Sequence, residues 1–299
     1  MIIAELKKYL LEEFKDCKYT INSDYLKKYI IESDKSYSIT NGNLHLTVLY
    51  KSKECEKILN IIINKTLKRI SKILKTLNNY KKYNIWFIPT LSKREFPKKN
   101  KIVDTKHING GYTNANADLN NEINICIYRL EEFPKVLLHE TLHHSKYQAI
   151  NEWEDPRIYN TFNINKNLDL RPNEAIIETW ALILNLKAIS KENGIPYKFL
   201  LDSEKEWAYM QAKKIINMHN KNLFADELWY ENTHSYCYII FRAIFLFKLK
   251  EFMKLTYPYD KNEIVKLLIE NKKEFFEYLN NNIYTNKLNT MRITLFGDL

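Results

Sequence analysis

Apolar residues recur at helical spacing through residues 53–80. Leu59, Ile62, Ile63, Leu67, Ile70, Leu74 and Leu77 make one stripe, with Lys57, Lys65, Lys68, Arg69, Lys72 and Lys75 mostly off it. The same period runs through residues 3–33, at Leu6, Leu10 and Phe14 and again at Leu26, Tyr29 and Ile30. Between these helices the pattern switches to alternation. Asn41-Gly42 separates two alternating runs, which predicts a hairpin with strands at 36–40 and 43–50. Residues 84–89 read as a buried strand ended by proline, 93–101 as a basic loop, and 107–113 and 122–129 as two more strands.

From Pro134 the pattern becomes helical, because proline suits a first helical position, and this helix is expected to reach about residue 150. Residues 151–172 form a polar connector without an evident period. A connector of that length is often functional. Helices are then expected at 173–193, stopped by Gly194 before Pro196, and at 197–220, 235–255 and 261–282. The fold class is therefore α+β. A mixed β-sheet with a packed helix occupies an N-terminal lobe, residues 1–150, and a C-terminal lobe, residues 151–299, is all helical.

A hydrophobic fraction of 45% and a charged fraction of 27% exclude a disordered chain, and only 5 glycines and 7 prolines exclude repetitive or linker-like sequence. No apolar run is long enough to span a bilayer; the best, residues 236–247, is broken by Arg242. The N-terminus reads as a charged amphipathic helix rather than a secretory signal. Cys17, Cys55, Cys126 and Cys237 are scattered and form no CxxC pair, which fits a reducing, intracellular setting. The net charge of +10 is uneven: residues 1–130 carry +11, residues 131–230 carry −3 and residues 231–299 carry +2. Lysines number 39 and arginines 7, whereas sequence-reading nucleic-acid proteins lean on arginine. Heavy use of Lys, Asn, Ile and Tyr fits AT-rich coding, as in a large DNA virus, a low-GC bacterium or a protist, and a virion component is one such origin.

Chemistry concentrates at His139-Glu140-Thr141-Leu142-His143. Histidines at i and i+4 project from one helix face, so both imidazoles can reach one Zn²⁺, and the glutamate beside them can reach a water on that metal. Three of the seven histidines fall within residues 139–144. A catalytic zinc needs a third protein ligand. Lys146 and Ala149 stand where an HExxHxxGxxH motif would continue, so that ligand is sought further on. Glu174 on the next helix is the leading candidate, with Glu152, Glu154, Asp155 and Asp169 as rivals. Glu178, one turn beyond Glu174, is placed to hold a ligand histidine from behind.

HETLH at 139–143 and NEAIIE at 173–178, in that order on successive helices, resemble the gluzincin metallopeptidases, the thermolysin-like branch of the zincins. The resemblance is specific over about residues 134–179. It implies a zincin-like fold, one zinc ion per chain held by His139, His143 and Glu174, and Glu140 as general base in hydrolysis of a peptide or protein substrate. Glu178 stands where that group often has Asp. A looser resemblance at Thr233-His234-Ser235-Tyr236 implies an oxyanion donor, His234 or alternatively Tyr236. The strand before the metal helix would bind substrate backbone, with Gly110, Gly111 and Tyr112 at that edge. The aminopeptidase GxMEN segment is absent, which favours an endopeptidase. The competing expectation is a catalytically idle zincin-like structural or virion protein that binds nucleic acid through its basic N-terminal lobe. Intact Glu140 speaks against idleness. Hydrolysis of a non-peptide amide or ester at the same site is a third reading.

Overall fold

A computed structural model of the chain describes residues 3–13, 24–52, 56–98, 101–113, 122–148, 155–221, 228–282, 284 and 288–299. The architecture is α+β, and the chain forms two compact units. One comprises Met1–Arg94, Asn109–Ser145 and Gly297–Leu299; the other comprises Glu95–Ile108 and Lys146–Phe296. The basic loop from Glu95 onward groups with the helical unit, and the last three residues group with the sheet.

The first unit is built on a five-stranded mixed sheet in the order β1-β2-β3-β6-β5. Its strands are β1 (Lys35–Asn41), β2 (Leu44–Tyr50), β3 (Lys82–Phe87), β5 (Gly111–Thr113) and β6 (Glu122–Ile127). The expected hairpin forms, with the turn one residue later than the pattern suggested. Asn41 pairs with Leu44, and Gly42 opens the turn at φ 60°, as a type II′ turn asks of its first residue. Helix α3 (Glu56–Thr76) carries the chain from β2 to a parallel β3, the connection parallel strands require. β3 and β6 are also parallel, and β5 closes the order antiparallel to β6.

The sheet is covered on both faces. Helices α1 (Ile3–Glu13) and α2 (Asp24–Glu32) bury Leu6, Leu10, Leu26 and Ile30 with Leu49, Ile88, Cys126 and Tyr128. The continuous helix expected over 3–33 is therefore two helices, and residues 14–23, Cys17 among them, lie outside the described residues. Helix α3 buries Leu59, Ile63, Leu67, Ile70 and Leu74, as its periodicity predicts. Arg69 is buried as well, and its guanidinium donates to the Leu299 main-chain oxygen at 2.7 Å. Helix α5 (Phe133–Leu142) follows β6, and Phe133 stacks on Phe87 of β3 with ring centroids 4.0 Å apart.

The second unit is helical: α4 (Thr105–Ile108), α6 (Pro156–Phe162), α7 (Pro172–Asn193), α8 (Tyr197–Lys221), a π-helical turn (Cys237–Phe241) running into α9 (Arg242–Phe247), α10 (Leu249–Phe252) and α11 (Lys261–Asn281). A small sheet in it pairs β4 (Val103–Asp104) with β7 (Glu231–Asn232) in parallel. Two expectations change here. The strand expected over 107–113 is a helical turn through Ile108 followed by β5, and the connector contains α6, capped by Asp155. Gly194 ends α7 at φ 67°, as the sequence predicts. Residues 288–296 run without regular structure along α8, where Glu204 accepts from the amides of Leu295 and Phe296 while Gln211 and Trp207 donate to the Arg292 carbonyl. No helix among the described residues is long and apolar enough to cross a membrane.

Candidate metal centre

Helix α5 is buried along its whole length, polar residues included. It is shorter than the expected 134–150, ending at Leu142 with His143 as its C-cap, and its start is tied down by charge. Glu132 adopts a left-handed conformation at φ 60°, with its carboxylate 2.9 Å from the Arg94 guanidinium and its amide donating to Asp298 Oδ1 at 2.6 Å. Arg94 also lies 3.6 Å from the Glu131 carboxylate. Neighbouring Arg129 is pushed down to about 10, chiefly by burial and next by Arg94. These contacts fix the helix that carries the histidines.

His139 and His143 point the same way, one turn apart. Their Nε2 atoms approach to 3.1 Å, with ring centroids 4.8 Å apart. Two ligands in a tetrahedron of zinc–nitrogen bonds of 2.0–2.1 Å stand about 3.3–3.4 Å apart, so the pair is spaced for a shared metal. His139 and Glu140 are buried and His143 is half-buried. Near Glu140 is Tyr128, a wholly buried phenol whose pKa burial raises far above its ordinary value, with the Glu140 charge raising it further.

Helix α7 begins at Pro172, and Glu174 sits in its first turn with its amide donating to the Arg171 carbonyl at 2.9 Å. One ligand atom from each of His139, His143 and Glu174 lies within 4.8 Å of the others, a group that could hold a metal ion. Two imidazoles and one carboxylate match the donor set of catalytic zinc sites. Among the rivals, Asp155 is engaged by Arg157 at 2.7 Å, which lowers its pKa, and Asp169 is engaged by Arg171 at 2.9 Å. Glu152 and Glu154 lie outside the described residues.

Glu178 follows one turn after Glu174 and faces Arg242, with 3.9 Å between carboxylate oxygen and guanidinium. His234 is buried at the start of the helix that leads into the π-turn. Burial lowers its pKa, while the Glu174 charge and a hydrogen bond to the Asp169 main chain pull it up. Tyr236 is packed into the core of its unit among Phe162, Trp229 and Phe241. Burial raises its hydroxyl pKa well above the ordinary value.

Gly110, Gly111 and Tyr112 fall at the edge of the five-stranded sheet, with β5 starting at Gly111. The space their missing side chains leave is filled from within this unit. A Cβ on Gly110 would meet the Arg94 guanidinium, and one on Gly111 would meet the Cys126 carbonyl and Val136 of α5. Tyr112 points to the opposite face and reaches Glu13. Thr113 instead meets His144 Nε2 at 2.8 Å, so the edge strand is hydrogen-bonded to the end of the histidine helix.

Sequence reasoning missed Arg94, Tyr128, the Thr113–His144 link and Arg242. Only Arg242 left a signal: it is the one charge in an apolar run, and such a charge needs a partner. No family model matches this chain, and no curated protein or solved structure matches it either.

Proposed function

We propose that the chain is a zinc-dependent metallopeptidase of gluzincin type on a zincin-like fold, acting as an endopeptidase on peptide or protein substrates. The observation that carries this reading is the approach of His139, His143 and Glu174 donor atoms to within 4.8 Å, with Glu140 next to His139 on α5 and His143 at that helix's C-cap. A zinc ion held there supplies Lewis-acid polarisation of a carbonyl and makes water easier to deprotonate. Glu140 takes a proton from the attacking water as its oxygen bonds to the carbonyl carbon. It then delivers that proton to the departing nitrogen as the C–N bond breaks. His234 gives up its hydrogen bond to the Asp169 main chain and donates that N–H to the oxygen that gathers negative charge. Glu178 steadies a ligand histidine. Tyr236, enclosed by aromatic rings, has no part in the step.

The test is zinc content and cleavage of an unstructured protein by wild type, Glu140→Gln and Glu174→Ala. Stoichiometric zinc in wild type and Glu140→Gln, cleavage by wild type alone, and reduced zinc in Glu174→Ala are expected. Wild type without zinc, or a fully active Glu140→Gln, overturns the proposal.

A further inference from the structure

The outer face of α3 carries Lys57, Lys65, Lys68, Lys72 and Lys75, all exposed. At 100° per residue these five fall within an arc of about 80°, and they span about 27 Å of helix. The only carboxylate of α3, Glu56, lies outside the arc and accepts the Tyr50 hydroxyl at 2.6 Å. Among the described residues none of the five ammonium groups is paired. Ile61 sits at the middle of the arc and Ile58 at its rim, 69% and 56% exposed. The opposite face of the helix is buried from Leu59 to Leu74.

We propose that this stripe docks the protein on an anionic lipid surface. The occupant is chosen by what the arc offers. The five lysines face one way along about 27 Å of one helix, so a flat anionic surface meets all of them together. The arc holds no arginine and no aromatic ring with which to read or stack on bases. An isoleucine at its centre has nothing to bind on a phosphate backbone, but inserts readily at the boundary of headgroups and acyl chains. Juxtaposed lysines bind anionic lipid additively, each strengthening binding about fivefold near the surface. This docking is independent of the metal centre.

The experiment is co-sedimentation of the full chain with phosphatidylcholine vesicles, with and without about 30 mol% phosphatidylserine, at about 0.1 M salt. A parallel titration uses duplex DNA. Binding only to anionic vesicles is expected, weakened about a hundredfold in Lys65→Gln/Lys68→Gln/Lys72→Gln and about threefold to tenfold in Ile61→Gln. Far-UV spectra and zinc content identical to wild type establish that these surface variants are folded. Failure to bind anionic vesicles, or binding indifferent to the lysine substitutions, overturns the proposal. Tighter binding to DNA, unchanged in Ile61→Gln, replaces lipid with nucleic acid as the partner.

Discussion

The carboxylate of Glu178 and the guanidinium of Arg242 face each other at 3.9 Å inside the helical unit, both closed to solvent. Arg242 also donates to the Ile293 carbonyl at 2.5 Å, so one side chain serves both α7 and the segment along α8. Removing one member of a buried pair strands the other charge. Arg242→Met is therefore expected to destabilise the fold by about 3–5 kcal/mol, read as a lower denaturation midpoint. Arg242→Met/Glu178→Leu should recover much of that loss, since an apolar pair of similar volume is nearly neutral. A double variant no more stable than the single would show that the pair is not what holds this region.

His234→Phe keeps the bulk of the ring and removes its N–H. Turnover should fall at least about tenfold, or about 1.4 kcal/mol of barrier, with zinc content and KM close to wild type. A variant with loosened zinc would place His234 in metal retention instead.

Glu231 is wholly buried and accepts from the Ser235 amide, the Ser235 hydroxyl and the Tyr236 amide, closing the start of the His234 helix. Burial pushes its pKa up to about 7 from 4.5, overriding these hydrogen bonds, which act to lower it. Between those two values the native state keeps a proton that the unfolded chain releases. Its contribution to stability is full below pH 4.5, falls as pH rises to about 7, and is then flat. The fall amounts to about 3 kcal/mol. Denaturant midpoints measured across this range should show that slope in wild type and lose it in Glu231→Gln.

A methyl group on Gly111 would lie 2.8 Å from the Cys126 carbonyl and 3.1 Å from Val136. Gly111→Ala must push β6 or α5 aside, at a cost of about 1–3 kcal/mol. Because α5 and its C-cap carry both histidines, zinc affinity should fall along with the melting temperature. A substitution that leaves both unchanged would show that the strand edge yields freely.

Local pattern made much of this molecule legible. The stripe of α3, the turn at Gly42, the proline start of α5 and the glycine stop at Gly194 are each written within a few neighbouring residues. His139 and His143 were equally readable, because helical spacing alone aligns them. Other features depend on partners far along the chain. The two-residue pairing of β4 with β7 joins Val103 to Glu231 and has no period to detect. Helix α6 hid in a polar connector because it is only 7 residues long. The use of Gly110 and Gly111 to admit Arg94 and Val136 could not be separated from close approach of a substrate without coordinates.

The π-turn at Cys237–Phe241 sets a phase. In an unbroken α-helix, residues 234 and 242 would point roughly 80° apart. Here five residues are wound more openly, with Arg242 donating to the Cys237 carbonyl, which turns Arg242 back relative to the residues before the turn. His234 feels the charge of Glu174 while Arg242 meets Glu178, two carboxylates one turn apart on α7. The turn works as a one-residue phase corrector between helices of unequal winding. Deleting any single residue within it would restore a regular helix and force the chain to give up one of the two alignments.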